Sequence, residues 1–306
     1  MVVPVTLAYY PLFLIVSGII LNSLTFIILC RRRFRGTKKQ PTIHYMRTIA
    51  VFDVLALFGW NLQHYLVDIH GYSLETKTVS TCKFFSFFGY FTVQTTAWLR
   101  VFISLDRYLY LSRLNKTWFS HQRNVLLIIM IIIITLIIFN LHLMIFGCFE
   151  LPNGDVSTNA PTYQIFPLWD YINLGVYNFG PFILMMIFNI GIIYHLFYLR
   201  RTTTVRNSRI QHRSISIALL TTTFLFLLMT LPASIVYGFF CDVLTNYSLH
   251  LVDTFLFTYH ILSFPSYIIT FKEFRQEFIA LILSRRHLRR IQPTMTLRSY
   301  ALTVGH

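Results

Sequence analysis

The chain has 306 residues, 55% of them hydrophobic and only 12% charged, with 30 Phe and 18 Tyr; a soluble domain carries about 25% charged residues, so the composition points to a membrane protein. The formal net charge of +15 does not make it a nucleic-acid binder, because the basic residues form no stripe interleaved with aromatics, as such a surface requires. They lie between apolar runs instead.

A bilayer core about 30 Å thick takes roughly 20 mainly apolar residues per helix. Seven segments meet that need, at residues 7–30, 43–67, 80–111, 123–147, 171–198, 214–240 and 249–271. No segment remains for a soluble domain. The connections are short and no internal repeat is visible, so an inverted-repeat transporter has no support. The expected fold is all-α: a seven-transmembrane helix bundle over 1–271, a short amphipathic cytoplasmic helix over 272–290 and a flexible C-terminal tail over 291–306.

In chain order, "MVVPVTLAYYPLF" has no basic n-region and no small-residue cleavage site. The first apolar run therefore reads as a retained span preceded by a stub, with no large extracellular domain. Asn22 lies in this span, and "RRRFRGTKK" (31–39) follows it. The second span holds Asp53, and the third holds Thr96, Arg100, Asp106 and Arg107. Prolines 181, 232 and 265 interrupt the fifth, sixth and seventh spans, where each removes one backbone hydrogen bond and permits a kink. His260 and Ser263 bring polar groups into the seventh. Charges at bilayer depth mark function or a paired structural site, and kinked helices around a polar core suggest a bundle that moves.

Of the 26 Lys and Arg residues, 23 fall on one side of the spans, against Lys77 and Lys83 on the other and Arg100 inside. Basic loops stay in the cytoplasm, so a multi-pass plasma-membrane protein with an extracellular N-terminus is expected. Cys82 and Cys148 then lie on the oxidising side, either bridged or as two buried thiols. The sequon at Asn115 is cytoplasmic and silent, whereas Asn246-Tyr247-Ser248 reads as a short outer loop open to glycosylation.

Together these residues resemble the rhodopsin-like (class A) G-protein-coupled receptors, in a divergent member of an invertebrate peptide-receptor or chemosensory branch. "LDRYLYL" is similar to the Asp-Arg-Tyr motif at Asp106, Arg107 and Tyr108, and Cys82 stands at the family spacing before Arg107. "LNSL" carries the first-helix Asn at Asn22, and "IAVFD" the second-helix Asp at Asp53. "FLLMTLP" keeps Phe226 and Pro232, and "FPSYIITFKEFR" keeps Pro265, Phe274 and Arg275. There are departures. The fourth-span Trp is missing, Met229-Thr230 replaces Cys-Trp, and Asn189 stands where the fifth-span Tyr is expected. In the Asn-Pro-x-x-Tyr motif Phe264 replaces Asn, and the Tyr is displaced by one position, to Tyr267.

The resemblance implies a Cys82–Cys148 bridge, an extracellular ligand and a heterotrimeric G protein engaged through Arg107, which Asp106 would hold until the bundle opens. It also implies a sodium ion at the second-helix Asp. Here Arg100 and Asp53 both lie roughly 16 Å deep at 1.5 Å per residue, so the guanidinium is expected to take that ion's place.

Seven acids, Asp68, Glu75, Glu150, Asp155, Asp170, Asp242 and Asp253, face two lysines at the mouth, which favours cationic ligands through steering. Gly89 and Thr258 stand where an amine receptor has its Asp and an opsin its Lys, arguing against both. A small basic peptide is the expected ligand, entering over Gln63, His64, Tyr90, Asp170, Tyr237, His250 and Asp253. "KEFRQEFIALILSRRHLRR" places Phe274, Phe278, Leu281 and Ile282 on one face of a helix lying against membrane lipids, and no Cys follows 241 to anchor it. The hydroxyls of Thr294, Thr296, Ser299 and Thr303 are candidate phosphorylation sites. The rival reading is a seven-helix transporter or channel with an ion path over Asp53, Arg100 and His260. No zinc-ligand spacing, nucleophile motif or catalytic carboxylate pair appears, so no enzyme activity, metal or cofactor is expected.

Overall fold

Runs of Ile, Leu, Val and Phe of this length satisfy their backbone groups in lipid only as helices. The computed structural model, which describes residues 4–35, 42–112, 121–158, 163–165, 168–202, 208–240, 243 and 246–290, is built almost wholly from them. In order they are α1 (Val5–Leu29), α2 (Thr42–His70), α3 (Val79–Leu111), α4 (Gln122–Phe146), α5 (Leu168–Asn173, continuing through Leu174–Phe179 and Gly180–Thr202), α6 (Ser208–Phe239), α7 (Asn246–Thr258, Tyr259–Ile261 and Ser263–Thr270) and α8 (Lys272–Arg290). The tail from 291, the Asn115 sequon, Cys241 and Asp242 lie outside the described residues.

Among the described residues, five helices are apolar and long enough to cross a membrane on composition alone: α1, α2, α4, α5 and α6. The other two of the seven expected spans, the third and the seventh, are lined with polar groups. The third carries buried Gln94, Thr95, Thr96 and Arg100, and the seventh is divided into three pieces. Polar residues facing the bundle interior lower the mean hydropathy without exposing anything polar to lipid. The outward sides are apolar, as on α4, where Met130, Ile131, Ile134, Ile138 and Ile145 are exposed.

Local chemistry sets several ends. Thr78 caps α3, its hydroxyl accepting from Thr81 N at 3.2 Å while Thr81 Oγ1 accepts from Thr78 N at 3.2 Å, a reciprocal box that satisfies two end donors. Arg47 of α2 donates to Leu29 O at 2.6 and 3.2 Å, closing the carbonyl end of α1. Asn246 opens α7 instead of lying in a loop, so the outer sequon sits on the first turn of a helix.

The fifth and seventh helices are irregular beside their prolines. In α5 the segment Leu174–Phe179 is a π-helix, with Gly180 N donating to Gly175 O. Pro181 has no N–H for the next carbonyl in that register, that of Val176, and the Trp98 indole of α3 donates to it at 3.1 Å. In α7 the 3₁₀ turn Tyr259–Ile261 precedes Pro265, and Asn22 of α1 donates to the His260 carbonyl at 3.0 Å. At α5 the carbonyl without a proline donor is thus met by a side chain of a neighbouring helix, and at α7 a carbonyl of the 3₁₀ turn is. Pro232 lies within α6 as expected, and Pro11 lies within α1.

Cys82 and Cys148 form a disulfide. It ties the start of α3 to a hairpin of β1 (Phe149–Glu150) and β2 (Val156–Ser157), paired Phe149 with Ser157. At the other end Phe34, Phe264, Phe271, Phe274 and Phe278 interlock, with ring centroids 5.4–6.3 Å apart. Arg31 pairs with Glu277 at 2.9 Å, fixing α8 under α1. On α8, Phe274, Phe278 and Leu281 pack inward, but Ile282 stands exposed with Ile279 and Leu283. The helix thus has two apolar sides, one on the bundle and one free for lipid.

Candidate functional site

Three polar layers occupy the bundle. In the middle one, Asp53 of α2 is fully buried and Arg100 of α3 is 1% exposed. Arg100 donates through one terminal nitrogen to Asp53 Oδ2 at 2.9 Å and Oδ1 at 3.2 Å. His260 Nδ1 donates to Oδ1 at 2.9 Å, and Ser263 Oγ approaches Oδ2 at 3.5 Å. The guanidinium also lies 4.5 Å from the centre of the Tyr259 ring, a cation–π contact that compensates lost hydration. Tyr259 meets Phe226 at 5.0 Å, and Phe226 meets Tyr177 at 6.1 Å, so the ion pair touches the aromatic stack that runs between the irregular turns of α5 and α7. Thr96 is buried one turn above Arg100, but its hydroxyl goes to its own helix, to Val93 O.

In the layer at the Arg107 end, Asp106 and Arg107 are both buried and 3.7 Å apart. Thr42, the first residue of α2, hydrogen-bonds to both, donating to Asp106 and accepting from Arg107. Arg107 also lies over Tyr110, 5.7 Å from its ring centre. Tyr108 turns the other way, onto α5. A Cβ at Gly191 would stand 2.5 Å from its ring, and Phe188 and His195 flank it at 6.1 and 5.9 Å. The absent side chain at Gly191 makes the seat for the tyrosine.

At the opposite end the residues expected to meet a ligand fall into two groups. Tyr90 donates to Asp170 at 3.1 Å between the rings of Trp60 and Trp169. His64 pairs with Asp253 at 3.4 Å and His250 with Asp68 at 3.6 Å, and Tyr237 hydrogen-bonds to Asp253. Gln63 belongs to neither group: it is 9% exposed and its amide is spent on the loop, donating to Ser73 Oγ and accepting from Leu74 N. In that loop burial pushes the Glu75 carboxyl above its usual range. At Gly89 the Trp60 indole nitrogen lies 2.7 Å from where a Cβ would be, so the indole fills the space that a side chain would take.

The family model for the 7 transmembrane receptor (rhodopsin family) matches residues 21–269. The chain belongs to that family. No curated protein matches it. As a rhodopsin-family receptor it is a multi-pass membrane protein whose seven helices are α1–α7, with α8 after them. In the receptor's middle layer the motif residues Asn22 and Asp53 meet His260 and Arg100, which no quoted motif contains, and at one rim the motif residues Asp106 and Arg107 meet.

Sequence reasoning missed three elements of this receptor. Asn140 donates to Gln94 Oε1 at 2.7 Å, and Gln94 donates to Asn173 at 2.9 Å, a buried amide chain joining α4, α3 and α5. An Asn in the mainly apolar "IIIITLIIFNLHL" was the available signal. Thr42 gave none, because a threonine at a helix start reads as an ordinary cap. Ser214 of α6 donates to Thr270 O at 2.9 Å and accepts from Lys272 N at 3.1 Å, a contact visible only once α6 is placed beside the α7–α8 elbow.

Proposed function

We propose that the receptor detects an extracellular cationic ligand, a small basic peptide, and activates a heterotrimeric G protein through the rim that holds Arg107. The observation that carries this reading is the buried Asp106–Arg107–Thr42 knot within a rhodopsin-family chain. A guanidinium held by a neighbouring carboxylate and hydroxyl is charged, buried and exchangeable. When the helices part, the same donors become available to a partner inserted between them. The distribution of basic residues supports placing this rim in the cytoplasm, and the acids Asp68, Asp170 and Asp253 support a cationic ligand at the other end. In the middle layer we assign Arg100 the role of a fixed cation for Asp53, coupling α2 and α3 to α7 through His260.

Replacing Arg107 by Ala tests the coupling assignment. The variant should reach the cell surface and bind ligand within several-fold of wild type, while agonist-driven nucleotide exchange disappears. Undiminished exchange would overturn the assignment. For the ligand class, a library of amidated basic peptides screened on cells reporting several second messengers should yield agonists. Their potency should fall when Asp253 or Asp170 is changed to Asn.

A further inference from the structure

Four side chains face one another across the α2–α7 seam, at the end of the bundle away from Arg107. His64 and Asp68 lie one turn apart on α2 and so on one face, and His250 and Asp253 lie three residues apart on α7. The helices run antiparallel, so the contacts form two rungs: His64 with Asp253 at 3.4 Å, and Asp68 with His250 at 3.6 Å nearer the mouth. The carboxylates occupy opposite corners of this square. The imidazoles occupy the other two, edge to face with centroids 5.4 Å apart.

The acids of the seam have bonding capacity left over. The Asp68 side chain is 10% exposed, and its Oδ2 is buried without a hydrogen-bond partner, since 3.6 Å to the imidazole lies beyond hydrogen-bonding range. Asp253 is bonded to Tyr237 of α6. Among the described residues no Lys or Arg serves either carboxylate: Lys77 lies over Tyr72 and Lys83 is bonded to Ile145 O. Asp170, by contrast, is taken up by the Tyr90 hydroxyl. No three His, Cys, Asp or Glu side chains among the described residues converge as metal ligands, so the seam is not shaped for a metal ion. A buried acceptor left unmade is costly, and a donor from outside the chain would satisfy it.

We propose that Asp68 and Asp253 form the subsite for a guanidinium group, an arginine side chain of the ligand inserted between α2 and α7, and that Asp68 selects it. The proposal deepens the cationic-ligand reading above and rests on it. A guanidinium is planar and always charged, and it carries five donors in a fixed fork. It therefore bonds two carboxylates at once while its flat face lies against the imidazoles. In taking Asp68 Oδ2 it gives up only the long contact to His250. An ammonium is a compact, strongly hydrated point charge, which leaves the flat walls of the seam unmatched.

The full-length receptor, purified in lipid nanodiscs without G protein, tests this with arginine amide as the probe and lysine amide and uncharged citrulline amide as controls. Arginine amide in the millimolar range should raise the apparent Tm saturably, and citrulline amide should not. Lysine amide should need about tenfold more for the same shift, as one lost charged hydrogen bond implies. Asp68→Asn should weaken arginine amide by about tenfold on the same ground. Because Asn also alters the seam itself, Asp68→Glu, which keeps the charge, serves as a second variant and should retain the preference for arginine over lysine. No saturable arginine-specific shift, or one unchanged in Asp68→Asn, would overturn the proposal. If the peptide screen yields no agonist while the arginine-specific shift stands, the peptide reading fails and the subsite remains. Peptide agonists whose potency ignores Asp68→Asn would sink the subsite and leave that reading intact.

Discussion

Arg100 is the residue with the sharpest consequences, because a buried guanidinium and a buried carboxylate each depend on the other. A carboxylate offers about four lone-pair positions, and those of Asp53 face Arg100 twice, His260 and Ser263. Nothing is left for a free ion. Agonist affinity should therefore respond to sodium no more than to the same ionic strength of a bulky organic cation, as a competition assay would show. A sodium-specific loss of affinity that vanishes in Asp53→Asn would mean that the ion holds the site. Arg100→Leu strands the carboxylate at a cost of about 3–5 kcal/mol, lowering Tm and surface yield, and it should create the missing sodium sensitivity. The pairing itself was legible in the sequence from equal depth on neighbouring helices. The contribution of Tyr259 was not, since nothing local tells an aromatic that will lie under a cation from one that fills the core.

Helices depend on one another most where their own hydrogen bonding fails. The irregularities of α5 and α7 were legible from their prolines, whereas α6 runs unbroken through Pro232, and the partner groups were not legible: the Trp98 indole for α5 and the Asn22 amide for α7 come from helices distant in sequence. Such contacts depend on azimuth and register, which hydropathy alone does not specify. For α6 the informative contact is Ser214. Over 208–239 this helix contains no Asp or Glu, so it offers Arg107 no carboxylate, and Arg107 is engaged from α2 instead. In this receptor α6 is held at that end by the serine that bridges Thr270 and Lys272. Removing two hydrogen bonds of about 0.5–1.5 kcal/mol each should release it. Ser214→Ala is expected to raise ligand-free nucleotide exchange severalfold, while Ser214→Thr, which keeps the hydroxyl, stays near wild type. Equal basal exchange in the two variants would show that the contact does not restrain α6.

For the molecule as a whole, the spans were legible because lipid demands long apolar helices, and their observed limits differ from those read off the sequence by a few residues at most ends, and by six at the start of α6. The third and seventh were read as apolar spans with the rest, and their polar interior sides keep their apolarity modest. The proposed orientation rests on the charge imbalance of the sequence, 23 basic residues between spans on one side against two on the other. A tag at residue 306 should accordingly be stained only after permeabilisation, and staining of intact cells would reverse the topology. The seam between α1 and the chain's last helices has one more consequence, for biosynthesis. Tyr10 bonds to Thr258 and Asn22 to the His260 carbonyl, 248 and 238 residues away, and Arg31 pairs with Glu277. Helix α1 is thus completed by helices that leave the ribosome long after it. Until then the Asn22 amide and the Arg31 guanidinium wait at the edge of an open arc, and contacts this distant form slowly. Membrane chaperones that shield polar edges should therefore bind the nascent chain along α1 and release it only when α7 and α8 arrive.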